Sequence, residues 1–218
     1  MDNEGVERIA TRSAVPGAIY GERIVEGYRI WDPTRSKLAA MILKCLHREP
    51  SPAMELLRLP SRTRVLYLGA ATGTTVSHVS DMFVGGLIYA VEMSSRAMRD
   101  LLMLCMARNN IIPLLENAAL PEGYSRMVEP VDLLYQDVAQ RNQADIAVRN
   151  ANWYLRPGGT LILMIKAMSI DSSASSDDVC DAEVARLTGL EVVQQMDLRP
   201  YHRDHRAVVA RKPGPSLS

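Results

Sequence analysis

Apolar residues gather into short, nearly unbroken runs in the middle of the chain, with helically spaced apolar positions between them. Val65-Leu66-Tyr67-Leu68, Leu87-Ile88-Tyr89-Ala90-Val91, Val131-Asp132-Leu133-Leu134-Tyr135 and Leu161-Ile162-Leu163-Met164-Ile165 are four such runs. Runs of this kind predict strands buried on both faces, as in parallel sheets. Met98, Leu101, Leu102 and Cys105 recur at helical spacing after Ser94-Ser95 and predict a helix. A second helical pattern extends from about Asn142 to Leu155 and stops at Arg156-Pro157-Gly158-Gly159. Strand and helix in alternation predict an α/β fold with a doubly wound, mostly parallel sheet. Leu190–Val193 and Ala207–Ala210, separated by turn residues, predict an antiparallel hairpin closing that sheet. Asp171 to Asp178 is rich in Ser and Asp and reads as an exposed loop or the start of a helix.

The front of the chain has another rhythm. Residues 1–13 carry no periodicity and are expected to fray. From Ala14 to Ile30 the pattern is short and strand-like, punctuated by Pro16-Gly17, Gly21 and Gly27, and predicts a small separate sheet. Asp32-Pro33 then reads as a helix start, with Asp32 as the cap. Leu38, Met41, Ile42 and Cys45 form one apolar face, and Lys37 stands at its edge. Pro50, Pro52 and Pro60 place a boundary near residue 55. The expected domains are 1–55, small and β-rich with a connecting helix, and 56–218, the larger α/β unit.

Composition narrows the function. At 218 residues the chain is long enough for a substantial core. With 25 Lys+Arg against 25 Asp+Glu it has no net field to concentrate nucleic acid or anionic membrane, so any basic surface is local. Twelve Met against a single Phe suggest that Met fills core space. No apolar run reaches the ~18 residues of a membrane span, and the polar start Met1-Asp2-Asn3-Glu4-Gly5 argues against a secretory signal. Cys45, Cys105 and Cys180 are odd in number and far apart, which excludes a disulfide framework and a Cys-rich zinc site. No metal site and a reducing, cytoplasmic setting are expected.

The chemistry is indicated by position. The first distinctive residue after each of the four runs is Gly69, Glu92, Asp137 or Lys166. Open α/β sheets bind ligands outside the carboxyl ends of their strands, so the four converge on one pocket. Gly69-Ala70-Ala71-Thr72-Gly73-Thr74-Thr75 is a small-residue turn, but Ala71 replaces the second glycine of the dinucleotide fingerprint. A carboxylate such as Glu92 after the second strand can accept both hydrogen bonds of a ribose diol. That pattern suits S-adenosylmethionine or another nucleoside without a pyrophosphate. Of the remaining histidines, His47 and His78 are expected only to pack or hydrogen-bond on helices.

Longer stretches carry a resemblance. Tyr20-Gly21-Glu22, Trp31 to Ala40, Val65 to Asp81, Tyr89-Ala90-Val91-Glu92, Asn109 to Pro113, Asp137-Val138-Ala139-Gln140 and Ile165-Lys166-Ala167 together resemble fibrillarin, from about residue 20 to 211. The length resembles the archaeal form, without a Gly/Arg-rich tail. The resemblance implies a class I methyltransferase-like fold with a small N-terminal β-domain, and S-adenosylmethionine-dependent 2′-O-methylation of rRNA and sometimes tRNA. It implies cofactor contacts at Ala70, Thr74, Thr75, Glu92, Met93, Asn117, Ala118, Asp137 and Gln140. Met93 stands where the family usually has an aromatic residue, and Asn117 where it has an Asp. The resemblance also implies a catalytic set of Lys37, Asp137, Lys166 and His205. Lysine ammoniums near a ribose hydroxyl stabilise developing negative charge, and a carboxylate between them keeps them ordered. Alternatively one lysine acts as base. The implied partners are a Nop-domain scaffold protein, a kink-turn-binding ribosomal-type protein, and a box C/D guide RNA with its rRNA or tRNA target. The competing readings are a stand-alone small-molecule methyltransferase and a non-catalytic scaffold that keeps the fold.

Overall fold

The computed structural model describes residues 8–47, 51, 54 and 58–214, so the expected boundary at residues 55 and 56 lies outside the described residues. Three short strands come first: β1 (Ala10–Arg12), β2 (Ile24–Val25) and β3 (Tyr28–Ile30). They form an antiparallel sheet of their own with β3 in the middle. Helix α1 (Lys37–Leu46) follows, then β4 (Arg64–Leu68), α2 (Thr74–Met82), β5 (Leu87–Glu92), α3 (Ser95–Met106) and β6 (Ile111–Leu115). A 3-10 turn (Pro121–Tyr124) leads to β7 (Val131–Gln136), α4 (Gln143–Tyr154) and β8 (Leu155–Lys166). The chain ends with α5 (Ala167–Ile170), α6 (Ser176–Ala185), β9 (Glu191–Asp197) and β10 (His205–Arg211).

The seven later strands make one sheet in the order β6-β5-β4-β7-β8-β10-β9. Neighbours from β6 to β8 are parallel, and β10 pairs antiparallel with β8 and β9, as the chain-end hairpin predicts. Side chains alternate between two cores. Val65 and Tyr67 of β4 face α1, α2 and α3, whereas Leu66 and Leu68 face α4 and α6. Leu38, Met41, Ile42 and Cys45 of α1 are buried as their spacing predicts. In α3 the buried face is Met98, Leu101 and Leu104, while Leu102 is half exposed. Strand β6 lies at the sheet edge, the position that tolerates the missing N–H of Pro113. Its brevity and that proline hid it from the pattern of runs.

Two expectations about the front of the chain need correction. Ala10–Arg12 lies in the stretch expected to fray, yet it is a strand. Three residues show no period; tertiary contacts hold them. Thr11 is buried and its hydroxyl donates to Asp81 Oδ2 at 2.9 Å. Nor does Asp32 cap α1: Ser36 does, accepting from Ala39 N–H at 3.3 Å. Asp32 instead accepts from Thr34 N–H and Oγ1 in a local turn.

The small sheet is fastened to α2 by buried ions. Arg29 is fully buried and donates to Glu22 (2.5 Å), Asp81 Oδ2 (2.7 Å) and Ser77 Oγ (2.7 Å). Arg108 reaches the other oxygen of Asp81 at 2.7 Å. Burial alone would raise the Asp81 carboxyl, but the Ala14 N–H, Arg108 and Thr11 outweigh it and hold the group below its ordinary value. His78 completes the cluster. Because Thr11 spends its proton on Asp81, it accepts from His78 Nδ1–H at 2.7 Å, and Nε2 accepts from the Tyr20 hydroxyl at 2.6 Å. Trp31 stacks on the same ring at 4.6 Å. Burial and then the Arg29 charge push His78 down to about 3, so the imidazole is neutral. His78 therefore packs and hydrogen-bonds, as expected.

Candidate active site

The distinctive residues at the strand ends meet where the strand order reverses. Strand β4 has β5 on one side and β7 on the other, and the chain builds outward to β6 before returning to β7. Such a switch point opens a crevice above the carboxyl ends. Gly69 and Ala70 donate their N–H groups to Val91 O, at 2.9 and 3.0 Å, and Asp137 N–H donates to Leu68 O at 2.9 Å. Gly69 adopts φ +83°, and a Cβ on it would lie 2.5 Å from the Asp137 carbonyl oxygen. Glycine is what lets the two strand ends approach this closely.

A cleft of about 390 Å³ opens there, and Gly69, Glu92, Met93, Glu116, Ala118, Asp137, Gln140 and Lys166 contribute to its wall. Glu92 accepts from Ala71 N–H at 2.8 Å through Oε2 and from Ser94 N–H at 2.7 Å through Oε1. Each oxygen keeps a lone pair for a ligand. Gln140 Nε2 donates to Asn117 Oδ1 at 3.1 Å and lies 3.5 Å from Met93 Sδ. Ala70, Thr74, Thr75 and Asn117 are not among the residues lining the cleft, nor are Lys37 and His205 of the expected catalytic set; His205 lines a neighbouring polar cleft with Ser176, Asp204 and Arg206. Thr75 points elsewhere, donating to Ser36 Oγ at 2.9 Å, which ties α2 to the start of α1.

Asp137, in the wall of the cleft, stands between two ammoniums, Lys166 of the same wall and Lys37 of α1. Lys37 Nζ donates to Asp137 Oδ2 at 3.0 Å. Lys166 Nζ lies 2.9 Å from Oδ1 and donates to the Asp137 carbonyl at 3.3 Å. All three side chains are only 16–19% exposed, enough to be reached and too little to be well screened. Burial alone would raise the Asp137 carboxyl; Lys37 and Lys166 outweigh it and hold it below its ordinary value. His205 opens β10 directly opposite Lys166. Its Nδ1 donates to the Arg203 carbonyl, which can only accept, so Nε2 is the unprotonated nitrogen. Burial and then the Lys37 charge lower its pKa and keep the ring neutral. Among the described residues no group of His, Cys, Asp and Glu could hold a metal ion. No described helix is long and apolar enough to cross a membrane.

The Fibrillarin family model matches residues 1–213. The chain belongs to the fibrillarin family. A fibrillarin-like rRNA/tRNA 2′-O-methyltransferase of Methanothrix thermoacetophila is 59% identical over 206 residues, covering 94% of this chain and 93% of its own. The fibrillarin of a solved fibrillarin/Nop5p complex is 46% identical with a TM-score of 0.86, covering 94% of each chain. Aeropyrum pernix fibrillarin, solved with natively bound S-adenosyl-L-methionine, is 46% identical with a TM-score of 0.82, covering 95% of this chain and 90% of that one.

This fibrillarin fold also places residues at the site that the pattern did not single out. His202 Nε2 donates to Pro33 O at 2.8 Å, and its ring lies 5.8 Å from that of His205. It thereby pins the turn before β10 to the turn before Lys37. Its place in Tyr201-His202-Arg203-Asp204-His205 was a visible signal. Ser36 caps α1 beside Lys37. Gln143 is fully buried and contacts the Lys166 backbone, with no local pattern to mark it.

Proposed function

We propose that this fibrillarin family member transfers a methyl group from S-adenosylmethionine to the 2′-hydroxyl of RNA ribose. On this reading it is the catalytic subunit of a box C/D guide ribonucleoprotein acting on rRNA and tRNA in the cytoplasm. Its partners are a Nop-domain scaffold, a kink-turn-binding ribosomal-type protein and the guide RNA. The observation that carries the reading is the Lys37–Asp137–Lys166 bridge beside the switch-point cleft. A scaffold without chemistry has no use for two partly buried lysines on one carboxylate. Residues 1–55 are then the small β-rich domain and 56–218 the cofactor-binding domain, joined through Arg29 and Asp81.

The cleft suits the cofactor chemically. Glu92 offers two free lone pairs for a ribose diol, and Gln140, Met93 and Ala118 line the place for a flat base, with Asn117 accepting from Gln140. Ala70, Thr74 and Thr75 complete the small-residue turn beneath. Glu92, Glu116 and Asp137 give the wall the negative character that a sulfonium prefers. When bound, the cofactor supplies an electrophilic methyl group on a positively charged sulfur. The remaining task is to handle the acceptor oxygen and its proton. Lys37 and Lys166 present ammoniums toward the oxygen as it gains negative charge, and Asp137 holds both in place beforehand. His205, neutral with a free Nε2, receives the proton.

Sequence choice on this reading comes from guide pairing. The chain has no net charge and few aromatic residues, two Trp, eight Tyr and one Phe, with which to hold single-stranded RNA. The test is methyl transfer to one target RNA by the protein alone, then with scaffold, kink-turn protein and guide added. Transfer is expected only from the complete assembly. Full activity from the protein alone, on a target of its own choosing, would establish a stand-alone methyltransferase instead.

A further inference from the structure

Lysine side chains are long and flexible, so holding one ammonium on a carboxylate requires a fixed backbone beneath it. For Lys166 the sheet does not provide one on the β7 side. The parallel β7–β8 ladder runs out at Gln136 opposite Leu163, three residues short of Lys166. On the other side Lys166 faces His205, and Ala167 N–H donates to Asp204 O at 3.1 Å. That bond makes Lys166 and His205 a non-hydrogen-bonded pair, which turns the Lys166 N–H and C=O away from β10. Both groups therefore point into the gap where β7 has left the sheet.

A glutamine fills that gap. Gln143 Oε1 accepts from Lys166 N–H at 2.9 Å, and Gln143 Nε2 donates to Lys166 O at 3.4 Å. A reversed amide would oppose donor to donor and acceptor to acceptor, so this orientation is fixed by its partners. The side chain takes the place of the missing strand. The backbone carbonyl of Gln143 accepts from Gln136 Nε2 at 2.7 Å, and Gln136 immediately precedes Asp137. Both glutamines are fully buried. They form a continuous hydrogen-bonded link from the end of β7, which carries Asp137, to the end of β8, which carries Lys166.

We propose that Gln143 is a positioning residue for methyl transfer: its amide replaces the lost β7–β8 ladder and sets Lys166 at its distance from Asp137. The inference rests on the proposed function, and its test includes a measurement that does not. In Gln143→Met the volume is kept and both hydrogen bonds are lost. Reductive methylation of lysines, read by mass spectrometry on the full-length protein, is expected to label Lys166 several-fold faster than in wild type. Lys37, held by a separate contact, stays within twofold. In the assembled ribonucleoprotein the kcat of Gln143→Met is expected to fall about 30-fold, the scale of a sub-ångström misplacement, with the cofactor KM within twofold. Unchanged Lys166 labelling overturns the proposal even if the wild-type complex proves inactive. Activity absent from wild type, with the labelling change present, refutes the proposed function and leaves the clamp standing.

Gln143→Glu guards against a fold defect. A protonated carboxyl reproduces the donor and acceptor of the amide; an ionised one turns a lone pair against the Lys166 carbonyl. The charged groups nearest to it through these contacts are Glu183 of α6, which accepts from Ala144 N–H at 2.6 Å, and the Lys166–Asp137 pair, whose Lys166 backbone Gln143 holds. The activity of Gln143→Glu relative to wild type is expected to fall as pH rises. A ratio independent of pH between 5 and 9 would overturn the clamp.

Discussion

Replacing Gly69 by alanine tests whether the approach of β4 and β7 governs the site. The new Cβ would stand 2.5 Å from the Asp137 carbonyl oxygen, inside the 3.0 Å that real Cβ contacts essentially never breach. The two strand ends must part by about 0.5 Å or more. The backbone at φ +83° adds the cost of a left-handed alanine, about 1 kcal/mol. Forcing packed backbone apart adds about 1–3 kcal/mol. The total of about 3 kcal/mol corresponds to a Tm loss of about 6–12 °C for a chain of this size. The displaced carbonyl is the one that accepts from Lys166 Nζ, so the clash is transmitted to the proposed catalytic group. A shift of that size is expected to cost about tenfold in methyl transfer. Gly189→Ala separates the two contributions. Gly189 has φ +75° with nothing within 4 Å of its Cβ, so it carries the left-handed penalty alone. It should lose about 2–4 °C and no activity. The assays are calorimetric melting and single-turnover methyl transfer by the assembled complex. If Gly69→Ala melts like Gly189→Ala and keeps normal turnover, the close approach does not govern the site and the reasoning fails.

Three further outcomes are expected. Lys166→Ala should abolish methyl transfer with little loss of cofactor affinity, because its ammonium acts only on the developing oxygen charge; near-normal turnover would remove it from the catalytic set. Glu92→Ala should weaken S-adenosylmethionine binding by about 1.5–3 kcal/mol, the worth of a charged acceptor; equal Kd values by titration calorimetry would place the ribose elsewhere. Acid should destabilise the fold through His78, whose folded pKa of about 3 lies below its ordinary 6.5. Below pH 6.5 the unfolded chain binds a proton that the native state refuses, so stability falls by about 1.4 kcal/mol per pH unit until about pH 3. His202 and His205, also lowered by burial, act in the same direction. Urea unfolding at pH 7 and pH 5 measures the loss, and equal stabilities would contradict a buried neutral His78.

The sequence by itself determined the architecture of the large sheet. Strands such as Val65–Leu68 and Leu161–Ile165 are apolar on successive residues because both faces are covered, and that signal is local. It also determined that Gly69, Glu92, Asp137 and Lys166 lie at one edge, since each follows a strand of the same direction. Contacts distant in the chain were left to the tertiary structure. Ala10–Arg12 becomes a strand because Thr11 meets His78 and Asp81, 67 and 70 residues away. Lys37 joins Asp137 across 100 residues, a pairing that family resemblance suggested and no local pattern encodes. Gln143 was illegible for the same reason. A glutamine at the start of a helix is ordinarily a solvated residue, and it becomes a substitute strand only where the folded sheet parts between Gln136 and Lys166. Periodicity reports which face of an element is buried; what meets on that face is decided when the elements pack.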